Sequence, residues 1–342
     1  MIQYLKSKRF EMLAFSLKKE TKNLNGDSIL ISTKTIENSD YCRCLAVVCD
    51  GVSKSYSDSI SSQLVIATIN EEFNSINFEA SEAILNANMK LNSNDHKLLS
   101  TCCLAFISED NLKINIFNVG DSRAYLFKYK GKGFDYHQIT VDDSTSEPFK
   151  INGKIQIQAG SPIFTTPLTR AIGDGNCSDI IKHELSLDIK NFIVLLSDGA
   201  YNQTKIFDLI SDILINAISL EEESQKKFND QHLNFSDDDT SIILIRRVYE
   251  SQINIDINEI IQLPPYLRYS ALLEIIESQN IEIEIFITAL KQLDLIENIS
   301  KSVLNKIVRL CQQLINTTDN EQLKKDINRL SVNFYQKAIM LK

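Results

Sequence analysis

Acidic side chains recur in this sequence where short apolar runs, of the kind that form buried strands, begin or end. A carboxylate at the end of a buried strand is held rigidly, and several of them at one sheet edge would form an all-oxygen cluster. Because like charges close together resist ionisation, such a cluster needs a cation to stay charged. Mg²⁺ and Mn²⁺ suit it, since they bind carboxylates, carbonyls and water. The aspartates concerned are Asp27, Asp50, Asp121, Asp198 and the run Asp237-Asp238-Asp239.

Glycine directly follows two of these aspartates, in Asp50-Gly51 and Asp198-Gly199. A glycine lets the backbone approach a site closely, so that its carbonyl can serve as a metal ligand. Asp-Gly is also a common turn signal, and any one of these aspartates taken alone is more typical of an ordinary turn. The repetition at several strand ends favours a shared metal site, although spacing alone leaves both interpretations open.

The elements that would position these aspartates are mainly short strands. Eight largely apolar runs, most of them bounded by Asp, Gly, Asn or Ser, predict strands. Three longer patterned stretches predict amphipathic helices. The predicted strands are 12–17, 28–32, 42–49, 101–107, 113–119, 124–129, 192–196 and 241–246, and the predicted helices are 58–73, 80–91 and 206–220.

The pattern changes after about residue 249. From residue 258 onward, apolar residues recur at helical spacing, and residues 316–319 predict a loop before a capped helix. We therefore expect two domains, a strand-rich one over 1–249 and a helical module over 250–342. The apolar stripes of the module form its own core or, alternatively, a surface for a partner.

Composition narrows the class of protein. The 342 residues are 43% hydrophobic, which is typical of a folded chain of one or two domains. The net charge of −9 argues against nucleic acid or an anionic membrane as a partner. The chain shows no signal-peptide pattern and no membrane-length apolar run. The seven cysteines are expected to be reduced, buried thiols of a cytoplasmic protein, and the four scattered histidines lack metal-ligand spacing.

Six motifs in order resemble those of the type 2C (PPM) family of metal-dependent Ser/Thr protein phosphatases. The resemblance covers about residues 10–248, and the run 50–55 looks more like the bacterial branch of the family. It implies an α+β fold in which an antiparallel β-sandwich is flanked by helices, with metal ions in a cleft at one end. The motifs are Asn25-Gly26-Asp27, Cys49-Asp50-Gly51, 118–125 (Asn-Val-Gly-Asp-Ser-Arg-Ala-Tyr), 168–173 (Leu-Thr-Arg-Ala-Ile-Gly), Leu196-Ser197-Asp198-Gly199 and Asp238-Asp239-Thr240-Ser241.

The resemblance also implies a ligand set for two Mg²⁺ or Mn²⁺ ions. Asp50 would bridge the two metals, and the Gly51 carbonyl would bind one of them. Asp198 and Asp238 would complete the shell of the other. Because three aspartates are consecutive, Asp237 is the alternative to Asp238.

Further roles follow from the same resemblance. Asp27 would act through metal-bound water, and Asp121 would support a weaker third metal together with Asp198. Lys22 aligns with the phosphate-binding arginine of the family, and lysine keeps the charge without the bidentate fork. Gly26 stands where the family often has a glutamate.

The implied activity is hydrolysis of phosphoserine or phosphothreonine in proteins by a water activated between two metals, with Asp50, Asp198 and Asp238 as the catalytic set. The expected partners are a phosphorylated protein and a cognate Ser/Thr kinase. The alternative is a weak or inactive phosphatase-like scaffold that binds a partner through residues 250–342. Arg123 and Arg170 are candidates for phosphate contacts or, equally, for ion pairs with neighbouring carboxylates.

Overall fold

The structure is a computed structural model of the chain. It describes residues 1–342 except 53–56, 95, 132, 146, 149, 152–153, 156, 159–160, 163, 166, 176, 178, 204, 217–219, 222–237, 249–256, 278–282, 297–298 and 342.

Strands dominate the first three quarters of the chain, and helices dominate the last quarter. The strands are β1 (Ile2–Lys6), β2 (Phe10–Leu17), β3 (Asp27–Thr35), β4 (Cys42–Asp50), β5 (Cys102–Ser108), β6 (Lys113–Val119), β7 (Arg123–Tyr129), β8 (Phe134–Gln138), β9 (Glu147–Pro148), β10 (Lys150–Ile151), β11 (Lys154–Ile155), β12 (Ile157–Gln158), β13 (Ser161–Pro162), β14 (Phe164–Thr165), β15 (Ile181–Ser186), β16 (Asn191–Leu196) and β17 (Thr240–Arg247). The described helices are α1 (Ser57–Phe73), α2 (Ala80–Asn92), α3 (Asp198–Tyr201), α4 (Ile206–Asn216), α5 (Ile257–Ile260), α6 (Pro265–Glu277), α7 (Ile283–Asp294), α8 (Lys301–Thr317) and α9 (Glu321–Met340).

Two large antiparallel sheets form most of the strand-rich part, and the short strands β9 to β14 form three two-stranded sheets beside them in the chain. One large sheet has the order β1-β2-β17-β16-β7-β8, and the other has the order β15-β6-β5-β4-β3. Apolar residues from both sheets meet in one core between them, among them Met12, Ala46 and Ile243. The α+β sandwich predicted from the sequence is confirmed.

Strand β4 shows how the fold carries its acidic end residue. Cys44, Ala46 and Val48 face the core between the sheets. Leu45 and Val47 alternate with them and pack in a second core with residues of α1 and α2. Because both faces are buried, the strand reads as one continuous apolar run, which ends at Asp50.

The chain divides into two compact units. The first contains 1–130, 134–211 and 225–248, and the second contains 131–133, 212–224 and 249–342. The second unit has its own hydrophobic core, which includes Leu272, Leu290, Ile307, Ile327 and Phe334. The assignment of a catalytic domain to 1–249 stays a prediction.

The loop predicted at 316–319 begins later than expected. Helix α8 continues to Thr317, whose hydroxyl donates to the carbonyls of Gln313 and Leu314 and so lets the last turn form. The cap of α9 is Asn320, whose side chain accepts hydrogen bonds from the backbone nitrogens of the next turn.

All eight predicted strands overlap observed ones, and the helices predicted over 58–73 and 80–91 are present. Helix α4 is described to Asn216, so residues 217–219 of its predicted extent lie outside the described residues. All seven cysteines are free and most are buried. Across the described ranges, no helix is long and apolar enough to cross a membrane.

Candidate active site

Three of the predicted aspartates meet where strands of the two sheets end. In the antiparallel pair β3 and β4, Asp27 lies directly opposite Asp50. Asp198 follows β16 and begins the short helix α3. Burial, together with the charges of the Asp27 and Asp198 carboxylates beside it, raises the pKa of Asp50 well above its usual range. The fold therefore brings together residues that are far apart in the chain, since 171 positions separate Asp27 from Asp198.

Asp27 is almost fully buried, with 5% of its surface exposed. The Ser197 hydroxyl donates to its Oδ2 over 2.8 Å, and the Ser197 Oγ accepts in turn from the Ser241 backbone nitrogen over 2.9 Å. Burial raises the pKa of Asp27 to about 7 in spite of these bonds. Its carboxylate is therefore held in one orientation and would be stabilised by a nearby positive charge.

Two buried carboxylate oxygens at this point are unpartnered. Neither Asp27 Oδ1 nor Asp198 Oδ1 has a hydrogen-bond partner among the residues that the structure describes. A buried acceptor left in this state is costly, because it has lost water and gained nothing in its place. Carboxylate oxygens are the ligands that Mg²⁺ and Mn²⁺ prefer, so the donor set fits a divalent cation.

Asp121 and Asp238 lie in the same neighbourhood. Burial and then the charge of Asp198 raise the pKa of Asp121 to about 6. Burial raises the pKa of Asp198, and the charge of Asp238 acts in the same direction. Asp238 itself precedes β17, and about half of its side-chain surface is exposed, at 48%. The alternative ligand Asp237 lies outside the described residues.

The five aspartates are close together without forming a finished ligand set. In the part of the chain that the structure describes, no three Asp, Glu, His or Cys side chains are arranged as a group that could hold a metal ion. The fold does bring aspartates together in pairs, since Asp50 lies close to Asp27 and also to Asp198. Whether these residues bind metal stays a prediction.

The two glycines after Asp50 and Asp198 are required by close backbone approach. A Cβ on Gly51 would lie 2.1 Å from the Asp58 carbonyl oxygen, and a Cβ on Gly199 would lie 1.9 Å from the Asp239 carbonyl oxygen. Neither distance is possible for a larger residue without moving the backbone. The Asp-Gly pairs are therefore packing requirements of the site as well as turns.

Hydrogen bonds fix the backbone of Asp50 on both sides. Its nitrogen donates to Thr101 Oγ1 over 2.9 Å, and its carbonyl accepts from the Ser100 hydroxyl over 3.0 Å. Thr101 Oγ1 also lies 2.7 Å from Ser122 Oγ. The next residue, Gly51, donates its N–H to the Gly26 carbonyl over 3.1 Å, which links the ends of β3 and β4.

Lys22 points into the acidic cluster. Its Nζ lies 2.6 Å from Asp239 Oδ2, 3.3 Å from Asp238 Oδ1 and 3.7 Å from Asp58 Oδ2. Burial acts to lower the pKa of Lys22, but the hydrogen bond and charge of Asp239 outweigh it and raise that pKa. The residue predicted to bind phosphate is thus placed beside a predicted metal ligand, Asp238.

Two acidic residues of this site received no role from the sequence. Asp239, only 1% exposed, accepts hydrogen bonds from the backbone nitrogens of Lys19 and Gly26 as well as from Lys22. It thereby attaches the loop before β3 to the start of β17. Asp58, in the first turn of α1, is also buried. The weak signals available were an aspartate in a first helical turn and a second aspartate beside Asp238.

The two candidate arginines form ion pairs. Arg123 Nη2 lies 2.7 Å from Asp142 Oδ2, and its guanidinium sits 3.7 Å from the centre of the Tyr201 ring. Arg170 Nε lies 2.9 Å from Asp143 Oδ2. Of the two interpretations, the structure therefore supports ion pairs with neighbouring carboxylates.

Comparison with known proteins gives one family and one fold. The family model described as protein phosphatase 2C matches residues 70–230. No curated protein matches the sequence. The serine/threonine phosphatase Stp1 from Staphylococcus aureus is 20% identical with a TM-score of 0.54, over 70% of this chain and 96% of that one.

Two further solved structures are similar over the same share of the chain. The serine/threonine phosphatase PstP/Ppp of Mycobacterium tuberculosis is 15% identical with a TM-score of 0.51, over 70% of this chain and 98% of its own. The catalytic domain of PstP in complex with two manganese ions is 17% identical with a TM-score of 0.51, over 70% and 99%. At these identities the likeness concerns the fold.

Proposed function

We propose that this chain, in which the protein phosphatase 2C family model matches residues 70–230, is a protein serine/threonine phosphatase that hydrolyses phosphoserine and phosphothreonine in proteins in a metal-dependent reaction. One observation carries the proposal. The carboxylates of Asp27, Asp50 and Asp198 lie together, and two of their buried oxygens have no partner in the described part of the chain.

The proposed cofactor is a pair of Mg²⁺ or Mn²⁺ ions, and the two manganese ions in the structure of the similar protein PstP support this choice. Asp50, the Gly51 carbonyl, Asp198 and Asp238 would hold the ions. Asp121 would serve a third, weaker position. When bound, the ions would activate water for attack on phosphorus and offset the charge on the phosphoryl oxygens.

The remaining contributions come from the chain itself. The Ser197 hydroxyl donates to Asp27 Oδ2 and so holds this carboxylate in a single orientation. Thr101 and Ser100 hold the Asp50 backbone, which reduces the reorganisation needed when ligands bind. Lys22 would supply a positive charge to the substrate phosphate.

Turnover of a phosphothreonine peptide tests this function. We expect hydrolysis that requires Mn²⁺ or Mg²⁺, stops in EDTA, and falls by at least about 100-fold in Asp50→Asn. Asp40→Asn is the matched control, because Asp40 is an exposed surface residue paired with Lys8. Full activity of Asp50→Asn in the presence of metal would contradict the proposal.

A second candidate function is a scaffold that binds metal with little or no turnover and recruits a partner through residues 250–342. The observation that favours it is the position of Lys22, whose ammonium already neutralises part of the acidic cluster. Calorimetric titration with Mn²⁺ beside a turnover assay separates the two functions. Binding without turnover favours the scaffold, and binding with turnover favours the phosphatase.

A further inference from the structure

The Lys22 ammonium makes ion pairs of unequal strength with three carboxylates. The contact with Asp239 is a short hydrogen bond of 2.6 Å to a fully buried acid, whereas the contacts with Asp238 and Asp58 are 3.3 Å and 3.7 Å long. About one third of the Lys22 side chain, 32%, remains exposed. The side chain is therefore attached at one carboxylate and open to solvent on another side.

Asp238 is the residue at which two demands conflict. Its Oδ1 accepts the backbone N–H of Asp239 over 2.8 Å and faces Lys22 Nζ. The proposed function assigns the same carboxylate to a divalent cation. An ammonium and a divalent ion that share one carboxylate repel each other, so each weakens the binding of the other.

The carboxylate that holds Lys22 most tightly does not depend on it. Asp239 Oδ1 accepts from the Lys19 nitrogen over 2.7 Å, and Asp239 Oδ2 accepts from the Gly26 nitrogen over 2.8 Å. Both oxygens therefore keep a hydrogen bond if the ammonium leaves. Lysine has a long flexible stem and a compact charged group, which makes such a movement easy.

We propose that Lys22 is an internal cation that competes with the divalent metal for Asp238 and that metal binding displaces its ammonium towards the substrate phosphate. The inference rests on the proposed function and adds to it an order of events: metal first, then phosphate. Metal on Asp238 would leave the ammonium only its contact with Asp239, whose two oxygens already accept from the Lys19 and Gly26 nitrogens, so the lysine can turn towards a bound phosphoryl group. Lys22 is then a positioning residue in the metal-free protein and a phosphate ligand in the loaded one.

Calorimetric titration of the full chain with Mn²⁺ tests the competition directly. We expect Lys22→Met to bind Mn²⁺ at least about fivefold more tightly than the unchanged protein at one site, because the competing charge is gone. Lys22→Gln, which keeps a donor for Asp239 without the charge, is expected to show the same change and serves if Lys22→Met does not fold. Lys34→Met is the control for overall charge, since Lys34 Nζ donates to the backbone carbonyls of Asn74 and Ser75. Equal or weaker Mn²⁺ binding by the Lys22 variants would overturn the inference.

Binding of inorganic phosphate to the Mn²⁺-loaded proteins tests the displacement. We expect both neutral Lys22 variants to bind phosphate several-fold more weakly than the unchanged protein, with Lys34→Met unaffected. Equal phosphate affinity would show that the ammonium is not released and would overturn that step. The proposed function fails separately, namely if the unchanged protein binds Mn²⁺ but does not hydrolyse the phosphopeptide.

Discussion

A buried acidic centre lies at each end of strand β4, and the two centres differ in how many of their carboxylate oxygens have hydrogen-bond partners. At the start of the strand, Glu109 is fully buried and accepts hydrogen bonds from the Cys42 nitrogen, the Arg9 nitrogen and the Ser7 hydroxyl. At the other end, Asp50 meets Asp27 and Asp198, and carboxylate oxygens remain unpartnered within the described residues.

The difference separates an acid that stabilises the fold from acids available for chemistry. The three donors around Glu109 replace the water it has lost, so that its burial costs little and the loops between strands are held together. The site aspartates lack such compensation, and burial raises the pKa of two of them, Asp27 and Asp50. Perturbed carboxylates of this kind cluster at functional sites, where a cation or substrate completes them.

The largest effect expected is on catalysis. Asp198→Asn keeps the shape of the side chain but removes one of the charges proposed to bind metal, and kcat for a phosphothreonine peptide should fall by about 100-fold or more. The melting temperature in EDTA should stay equal or rise, because a like charge beside Asp50 has been removed. A large loss of stability with unchanged kcat would reverse the assignment of the two ends of β4.

The complementary change at the start of β4 should affect stability alone. Glu109→Gln presents an amide group where the native carboxylate accepts from backbone N–H groups, so at least one donor loses its acceptor. We expect the free energy of unfolding to fall by about 2 kcal/mol, measured by urea denaturation. Turnover per folded molecule should remain that of the unchanged protein. A selective loss of kcat would contradict a purely structural role for Glu109.

The dependence of stability on pH should distinguish the two centres next. The pKa of Asp27, about 7 in the folded protein, exceeds its ordinary value of 3.8, so the unfolded chain loses this proton at lower pH than the folded one. In EDTA, this residue therefore makes the protein less stable as the pH rises from about 4 to about 7. Asp27→Asn should flatten that fall, by an amount on the order of 4 kcal/mol at pH 7, in melting curves recorded across this range.

Saturating Mn²⁺ is the second arm of that measurement. A divalent ion bound beside Asp27 favours its ionised carboxylate and should remove most of the pH dependence from the unchanged protein. If Asp27→Asn and the unchanged protein gave parallel curves in EDTA, the raised pKa assigned to Asp27 would be wrong.

The sequence predicts features that depend on a local pattern, such as buried strands, better than contacts between residues that are distant in the chain. The central strands β4 and β16 are buried on both faces and read as continuous apolar runs, so their positions and the aspartates after them were predictable. Strands β1, β8 and β15 were missed. Each lies at a sheet edge, and β8 and β15 are largely polar and exposed.

The sequence did not predict which hydrogen-bond partners each buried acid has. Lys22 contacts Asp239 across 217 positions, and Ser7 contacts Glu109 across 102. No local pattern marks such a pair, because both residue types are common and their spacing is set by the sheet topology. The motifs therefore indicated which aspartates to expect near one another, whereas only the fold shows which of their oxygens lack a partner among the described residues.

The smallest expected effect concerns the backbone of Asp50. It tests whether only the side-chain carboxylates of the site lack hydrogen-bond partners. The Asp50 backbone is well satisfied, since its nitrogen donates to Thr101 Oγ1. Thr101→Val keeps the shape but removes this acceptor, and should cost about 1 kcal/mol of stability. It should also lower kcat several-fold, because the carboxylate of Asp50 loses part of its support.

Thr140→Val is the matched control, because Thr140 Oγ1 accepts from the Ala124 nitrogen in the same way. It should cost similar stability with kcat unchanged. Equal kcat in the two variants would mean that the rigidity of the Asp50 backbone does not contribute to turnover, and that the contrast between the two ends of β4 lies in the side chains alone.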